Sequence, residues 1–254
     1  MKHAIILTGE LRFDNEIHFN QFINFINGFD VFISTYPKYE KLAKQITNNY
    51  VVSETLLPQG NMYQWYHLDK IIKQWKSTLL NYEILIKLRT DLIFNEIDLK
   101  NLIVDSNTIY PQTDQIFYAE SKHFIHAFED MFHNVTSLYI NRSKDYYIPI
   151  NYNNLVNSNP KTNVKTAWLT LPKKIYSTNF LELQNNIKEN ESIFLIGGYD
   201  VSVMDMEFGM KTGYAFTSER CFLIQCINKG LVNESIINGV LMNNRKEQNW
   251  GIIN

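Results

Sequence analysis

Tyr82-Glu83-Ile84-Leu85-Ile86-Lys87-Leu88-Arg89-Thr90-Asp91-Leu92-Ile93-Phe94 decides how this chain reads. The run is apolar, as a buried strand is, and it carries a base and an acid two positions apart. In open α/β sheets ligands bind beyond the carboxyl ends of the strands. The turn at 89–91 is therefore the expected floor of a functional site. A plain surface pair between Arg89 and Asp91 would contribute only about 0–1 kcal/mol and no chemistry, so the order of elements around the turn has to decide between the two.

Upstream, His3-Ala4-Ile5-Ile6-Leu7 reads as a buried strand that passes into the turn Thr8-Gly9-Glu10-Leu11-Arg12. A helix is predicted over 15–27, with Ile17, Phe19, Phe22, Ile23 and Ile26 on its apolar face and Gly28 ending it. Asp30 to Tyr36 is a second strand, closed by Pro37. Strand, helix and strand within about 35 residues form a βαβ unit, whose crossover implies parallel strands. The pattern repeats with a short helix over 40–48 and a third strand over 50–57. A long helix over 61–81 follows, its core face marked by Trp65, Leu68, Ile72, Trp75 and Leu79. That helix delivers the chain into the strand ending at Arg89.

Downstream, 108–111 and 115–119 read as short strands and 121–140 as one helix burying Phe124, Ala127, Phe128, Met131, Val135 and Leu138. The stretch 141–191 is rich in Asn, Lys and Tyr, carries Pro149, Pro160 and Pro172, and has weak periodicity. It reads as an irregular insertion beside the site. Strand patterning resumes at 192–196 and 201–208, where Asp205 and Glu207 share one face. Ser218 is placed to cap a helix whose first turn holds Glu219, an acid favoured there by the helix dipole. The expected organisation is one α/β domain: a ligand-binding half over 1–140, the insertion over 141–191, and strands with a helix over 192–254 that complete the same domain. The class is a Rossmann-like, mostly parallel sheet flanked by helices.

Bulk properties narrow the function. A chain of 254 residues with 45% hydrophobic content buries a large core. A net charge of -2 argues against a nucleic-acid binder, which carries a basic excess or stripe. Cys221 and Cys226, on a predicted helix, read as buried apolar groups rather than a bridged pair. No stretch approaches the roughly 20 apolar residues of a membrane span, and the start lacks the apolar core of a signal peptide. A cytoplasmic location is expected. His123, His126, Asp130 and His133 fall within about 80° on an ideal helix, but opposite the apolar stripe, so they read as a solvated face and not as a zinc site.

Several fragments together resemble a known family. They are Ile5-Ile6-Leu7-Thr8-Gly9-Glu10-Leu11-Arg12, Asp30 to Tyr36, Tyr63-Gln64-Trp65-Tyr66-His67-Leu68, Lys87-Leu88-Arg89-Thr90-Asp91-Leu92 and Asp114-Gln115-Ile116-Phe117-Tyr118. In order and spacing they resemble the WavE-like bacterial cell-surface polysaccharide glycosyltransferases. Glu10 stands where that family usually has Gln, and the second half is similar only around Ser218-Glu219 and at Leu241-Met242-Asn243-Asn244-Arg245. The resemblance implies a GT-A-like fold. It also implies sugar transfer from a nucleotide-sugar donor to a glycan or lipid-linked glycan acceptor of lipopolysaccharide or capsule, at the inner face of the cell membrane with room for peripheral membrane contact.

The resemblance also assigns roles. Gly9 lets the backbone approach the nucleotide, and Arg12 reaches its base, ribose or phosphates. Asp114 and Gln115 lie near the donor sugar. The Arg89-Thr90-Asp91 turn stands where GT-A enzymes commonly carry Asp-x-Asp, which leaves two options: Asp91 binds Mg²⁺ or Mn²⁺ through oxygen while Arg89 contacts phosphate or sugar with its planar fork, or the reaction needs no metal and Arg89 and Arg12 take the cation's place. Glu219 is the first candidate for the base that deprotonates the acceptor hydroxyl, ahead of Asp205 and Glu207. Two alternatives of other classes stay open: a catalytically silent glycan-binding or scaffold protein of the same fold, and a nucleotidyltransferase.

Overall fold

The computed structural model describes residues 2–57, 60–94, 98–111, 115–141, 147–151, 192–196, 218, 221, 222, 225, 226, 229–233, 240–242, 250 and 251. In chain order the elements are β1 (His3–Thr8), α1 (Glu16–Phe25), β2 (Asp30–Thr35), α2 (Glu40–Ile46), β3 (Tyr50–Val52), α3 (Tyr63–Leu79), β4 (Ile84–Leu88), β5 (Leu92–Phe94), β6 (Thr108–Pro111), β7 (Phe117–Glu120), α4 (Ser121–Phe128), α5 (Met131–Asn141), β8 (Tyr147–Asn151), β9 (Ser192–Ile196), β10 (Val232–Asn233) and β11 (Val240–Met242). Short 3₁₀ turns, Pro37–Tyr39 and Gly60–Met62, lead into α2 and α3.

Seven strands make one sheet in the order β10-β6-β7-β4-β1-β2-β3. β4, β1, β2 and β3 run parallel, β10 is parallel to β6, and β7 is antiparallel to both of its neighbours. This is the Rossmann-like, mostly parallel α/β sheet flanked by helices expected from the sequence. β1 and β4 are buried along almost their whole length. Central parallel strands are covered on both faces, and near-continuous Ile, Leu and Ala answers that requirement. Pairing runs from Ala4↔Asp30 to Thr8↔Ser34 on one side of β1 and from His3↔Ile84 to Leu7↔Leu88 on the other.

Strand parity sorts the core into two layers. Ala4, Ile6, Phe32, Leu85, Phe117 and Ala119 face α3 and α4, where Trp65 lies stacked with Phe128 and Phe222 at interplanar angles of 9°. Ile5, Leu7, Val31, Ile33, Ile84, Ile86 and Leu88 face the opposite layer, built on Phe13, Phe19, Phe22 and Leu42. The chain end returns to this second layer. Trp250 packs on Phe19 with ring centres 5.1 Å apart, and its N–H donates to the Phe13 carbonyl at 3.2 Å.

The structure redraws several boundaries. α1 begins at Asn15, whose side chain accepts from His18 N at 2.9 Å, and Gly28 takes φ +91° beyond its end. The buried face is His18, Phe19, Phe22 and Ile26, while Ile17 is 70% exposed. Successive residues turn by about 100°, which sets Ile17 nearly opposite Phe22 and Ile26. The 82–94 run is two strands, because the 89–91 turn interrupts it; β5 leaves the main sheet and pairs antiparallel with β11. β3 stops at Val52.

The helix expected over 121–140 is two, α4 and α5. The break at Glu129-Asp130 is held from outside, since Asp130 accepts from Gln225 Nε2 and Lys229 Nζ, each at 2.6 Å. α3 bends at Trp75, where φ is -124° and ψ 18°. Within the expected insertion lies β8, which pairs antiparallel with β9 just beyond it; residues 152–191, and the strand expected over 201–208, lie outside the described residues. Cys221 and Cys226 are both buried. No helix among the described residues is long and apolar enough to cross a membrane.

The packing of α1 yields a contrast that thermal or denaturant unfolding measures. Phe22→Ala empties a position 2% exposed and should cost about 3–5 kcal/mol. Ile17→Ala, five residues away on the wet face, should stay within about 0.5 kcal/mol of wild type.

Candidate active site

The strand order places β2 and β3 on one side of β1 and β4 on the other, so successive crossovers leave in opposite directions around β1. A crevice at the carboxyl ends of such strands is where α/β sheets bind ligands. Three turns meet there. Gly9 N donates to the Ser34 carbonyl at 2.8 Å, and Thr35 Oγ1 donates to the Gly9 carbonyl at 2.6 Å, tying the turn after β1 to the end of β2. Arg12 N donates to Thr90 Oγ1 at 2.7 Å, tying the same turn to the one after β4.

Gly9 sits at φ +83°, a left-handed conformation that costs a residue bearing a Cβ about 1–2 kcal/mol. A Cβ there would meet only His67 Cδ2, at 3.9 Å. Glycine is thus required by backbone conformation, and the space over it is open among the described residues.

Charge is organised around Asp91. Its side chain is 3% exposed, whereas those of Arg89 and Arg12 are 23% and 33% exposed. Arg89 Nε donates to Asp91 Oδ1 at 2.9 Å and Arg89 Nη2 to Oδ2; Arg12 Nη1 reaches Oδ2 at 3.4 Å. Arg12 is also paired with Glu10, which Lys38 Nζ approaches at 3.6 Å. Burial pushes the Asp91 carboxyl up, but the hydrogen bonds and charge of Arg89, with the charge of Arg12, outweigh it and hold the group below the usual carboxylate range. The acid is the buried anchor, and the guanidiniums are the parts that solvent reaches.

This arrangement bears on a cation. Both Asp91 oxygens are engaged by arginine, and among the described residues no group of three His, Cys, Asp or Glu side chains is placed to hold a metal ion. Mg²⁺ and Mn²⁺ at nucleotide sites are held by one or two carboxylates together with substrate phosphates and water, so a cation at Asp91 would have to replace the arginine bonds its oxygens now accept.

Beside the turns lies an aromatic wall of Tyr36, Tyr39 and Tyr63 around His67. Tyr36 packs edge-on to His67 with ring centres 4.6 Å apart and lies 5.9 Å from Tyr63. The Tyr39 hydroxyl is pushed up to about 12, by burial first and by the charge of Glu10 second. His67 is fully buried. Its Nδ1 pairs with Ser34 Oγ at 2.8 Å, and its Nε2 has no partner among the described residues. Burial, with the nearby charge of Lys70, lowers its pKa to about 4, so the ring is neutral near pH 7.

Of the residues singled out in sequence, Gly9, Arg12, Arg89 and Asp91 come together here. Gln115 stands just before β7, whose Phe117 pairs with Lys87 of β4, and its carbonyl accepts from Lys87 Nζ at 3.3 Å. Asp114, Asp205, Glu207 and Glu219 lie outside the described residues. The structure adds Glu10, Thr90, His67 and Lys87. Lys87 had a visible signal, a charge inside an apolar strand run; His67 had none, because its partner Ser34 is distant in sequence.

No family model matches the chain, and no curated protein matches it. Among solved structures it is similar to a glycosyltransferase involved in the glycosylation of the major capsid of PBCV-1, with 14% identity and a TM-score of 0.33, over 54% of this chain and 67% of that one. These comparisons do not establish membership of the WavE-like family.

His67 sets a pH dependence with a definite sign. Its folded pKa lies below the ordinary 6.5, so on acidification the unfolded chain takes up the proton first. Its contribution is intact above pH 6.5 and eroded between there and about pH 4, by about 3 kcal/mol in all at 1.36 kcal/mol per pKa unit. Denaturant midpoints of wild type and His67→Gln between pH 7 and 4.5 should show a shallower fall in the variant; parallel curves would mean that His67 carries its proton in the fold.

Proposed function

We propose that this protein is a GT-A type glycosyltransferase that moves a sugar from a nucleotide-sugar donor to a glycan or lipid-linked glycan of the bacterial surface, in lipopolysaccharide or capsule, at the inner face of the membrane. The observation that carries the reading is the pair of partly exposed guanidiniums, Arg12 and Arg89, held by one buried carboxylate beside the open turn at Gly9. Such transfer breaks the bond between the anomeric carbon and the donor's phosphate oxygen, and the electron pair leaves on the phosphate. Oriented cations where that charge gathers stabilise the transition state, because they need no reorganisation as it develops. A planar guanidinium matches phosphate oxygens in pairs.

In this reading Asp91 fixes the two arginines, and Arg12 and Arg89 meet the donor phosphates. Gly9 leaves room for the nucleotide. A carboxylate takes the proton of the acceptor hydroxyl as its oxygen bonds to the anomeric carbon. Glu219 is the first candidate for that base, before Asp205 and Glu207, with Asp114 and Gln115 toward the donor sugar. No step runs through a divalent cation.

The decisive measurement is binding. A nucleoside diphosphate at 100 times its dissociation constant stabilises its protein by about 2.7 kcal/mol. One member of a panel of uridine, guanosine, cytidine and thymidine nucleotides should raise the melting temperature accordingly, and should still do so in EDTA. Arg12→Gln and Arg89→Gln should weaken that binding at least about tenfold, the cost of a lost charge-assisted hydrogen bond. A panel without any shift sinks the donor site, and a shift abolished by EDTA restores the metal. Release of nucleotide from a nucleotide-sugar separates a transferase from a silent binder, while release of pyrophosphate from a nucleoside triphosphate points to a nucleotidyltransferase. Glu219→Gln should slow transfer by ~10²- to 10⁴-fold with binding intact; unchanged transfer moves the base to Asp205 or Glu207.

A further inference from the structure

Lys87 is 1% exposed, in the middle of the sheet. It pairs with Ile6 of β1 and Phe117 of β7. Its ammonium lies 5.6 Å from the centre of the Phe117 ring. Nζ donates to Gln64 Oε1 at 2.9 Å, in the first turn of α3, and to the Gln115 carbonyl at 3.3 Å, just before β7. Gln64 Nε2 in turn donates to Ser218 Oγ. Neither Lys87 nor Gln64 is among the described partners of Arg12, Arg89 or Asp91.

Fold stability does not account for a lysine at this position. Taking an ammonium out of water is costly even when it is hydrogen-bonded, and buried ionic groups replaced by apolar side chains of similar volume commonly leave a protein as stable or more so. Methionine would fill the same unbranched volume with no charge to desolvate. What methionine could not do is hold three segments from distant parts of the sequence at one end of the sheet: the start of α3 through Gln64, the approach to β7 through Gln115, and through Gln64 the helical position Ser218. Gln115 belongs to the segment expected beside the donor sugar, and Ser218 directly precedes Glu219.

We propose that Lys87 is a positioning residue whose buried ammonium fixes the Gln64, Gln115 and Ser218 segments relative to one another, and so sets the edge of the site that faces the donor sugar and the acceptor. The assignment rests on the nucleotide-sugar reading of the neighbouring turns. It separates two tasks across β4: Arg12 and Arg89 bind phosphate, and Lys87 aligns the groups that act on the sugar.

The test compares wild type with Lys87→Met and Gln64→Met, singly and together. Lys87→Met should melt at or above the wild-type temperature and bind the nucleoside diphosphate found in the panel within twofold of wild type. It should release nucleotide from the corresponding nucleotide-sugar, without acceptor, at least tenfold more slowly, with the loss in kcat rather than KM. Gln64→Met should lose kcat in the same way, and the double variant should lose no more than the worse single, as partners in one network do. A marked fall in melting temperature for Lys87→Met, or a stable Lys87→Met with full turnover, overturns the proposal. So do losses that multiply in the double variant. A wild-type protein that binds no nucleotide removes the donor reading and this role together, and is told apart because wild type and variants are then silent alike.

Discussion

A carboxylate as buried as Asp91 cannot stay ionised without cations against it, and that requirement organises the end of the sheet. Born and hydrogen-bond costs of an isolated buried charge are prohibitive, so removing Arg89 would leave the acid with only the 3.4 Å contact of Arg12, a larger loss than a surface pair could cause. The dependence runs both ways. Long arginine side chains have many rotamers, and a buried acceptor that engages Arg89 through two nitrogens and Arg12 through a third removes most of that freedom before any ligand arrives. Preorganised donors serve binding and catalysis better than donors that must be ordered on arrival.

The arginines come from turns that follow two different strands, so their convergence depends on the parallel pairing of β1 with β4. The bond from Arg12 N to Thr90 Oγ1 fixes the two turns at backbone level, and Trp250 N binding the Phe13 carbonyl holds the residue next to Arg12 from the far end of the chain. The site is therefore sensitive to packing in the layer of Phe13, Phe19 and Leu42, although none of those side chains is polar.

Much of this was legible in the sequence, and the failures have physical causes. β1, β2, β4 and β6 announce themselves as short apolar runs, and the turns at Gly9 and at Arg89-Thr90-Asp91 by the polar residues that end those runs. Features imposed by distant contacts were not legible. The break between α4 and α5 has no proline or glycine; it answers to Gln225 and Lys229, more than ninety residues on. The exit of β5 to pair with β11 depends on a partner near the chain end. Ile17 looked like core because it is apolar, although its phase on the helix puts it in water. Of the candidate site, the four residues in the two turns were legible because they sit at strand ends, whereas His67 and Lys87 are polar residues inside elements whose neighbours in space, not in sequence, give them a role.

Lys87 and Asp91 also bear on why β4 holds one register. Side chains alternate between the two layers along a strand, so a slip of one residue would carry Lys87 into the layer of Phe13, Phe22 and Leu42, and Leu88 into the place where Gln64 and Gln115 now meet the ammonium. An apolar strand of Ile, Leu, Ile and Leu could tolerate such a slip with modest loss, since both layers accept branched aliphatic side chains. A charged residue in the middle of the run cannot, because its hydrogen-bond acceptors exist on one face alone among the described residues. The lysine thus disfavours one wrong register of β4, in addition to the parallel pairing with β1 that by itself brings Arg12 to Thr90 and Asp91.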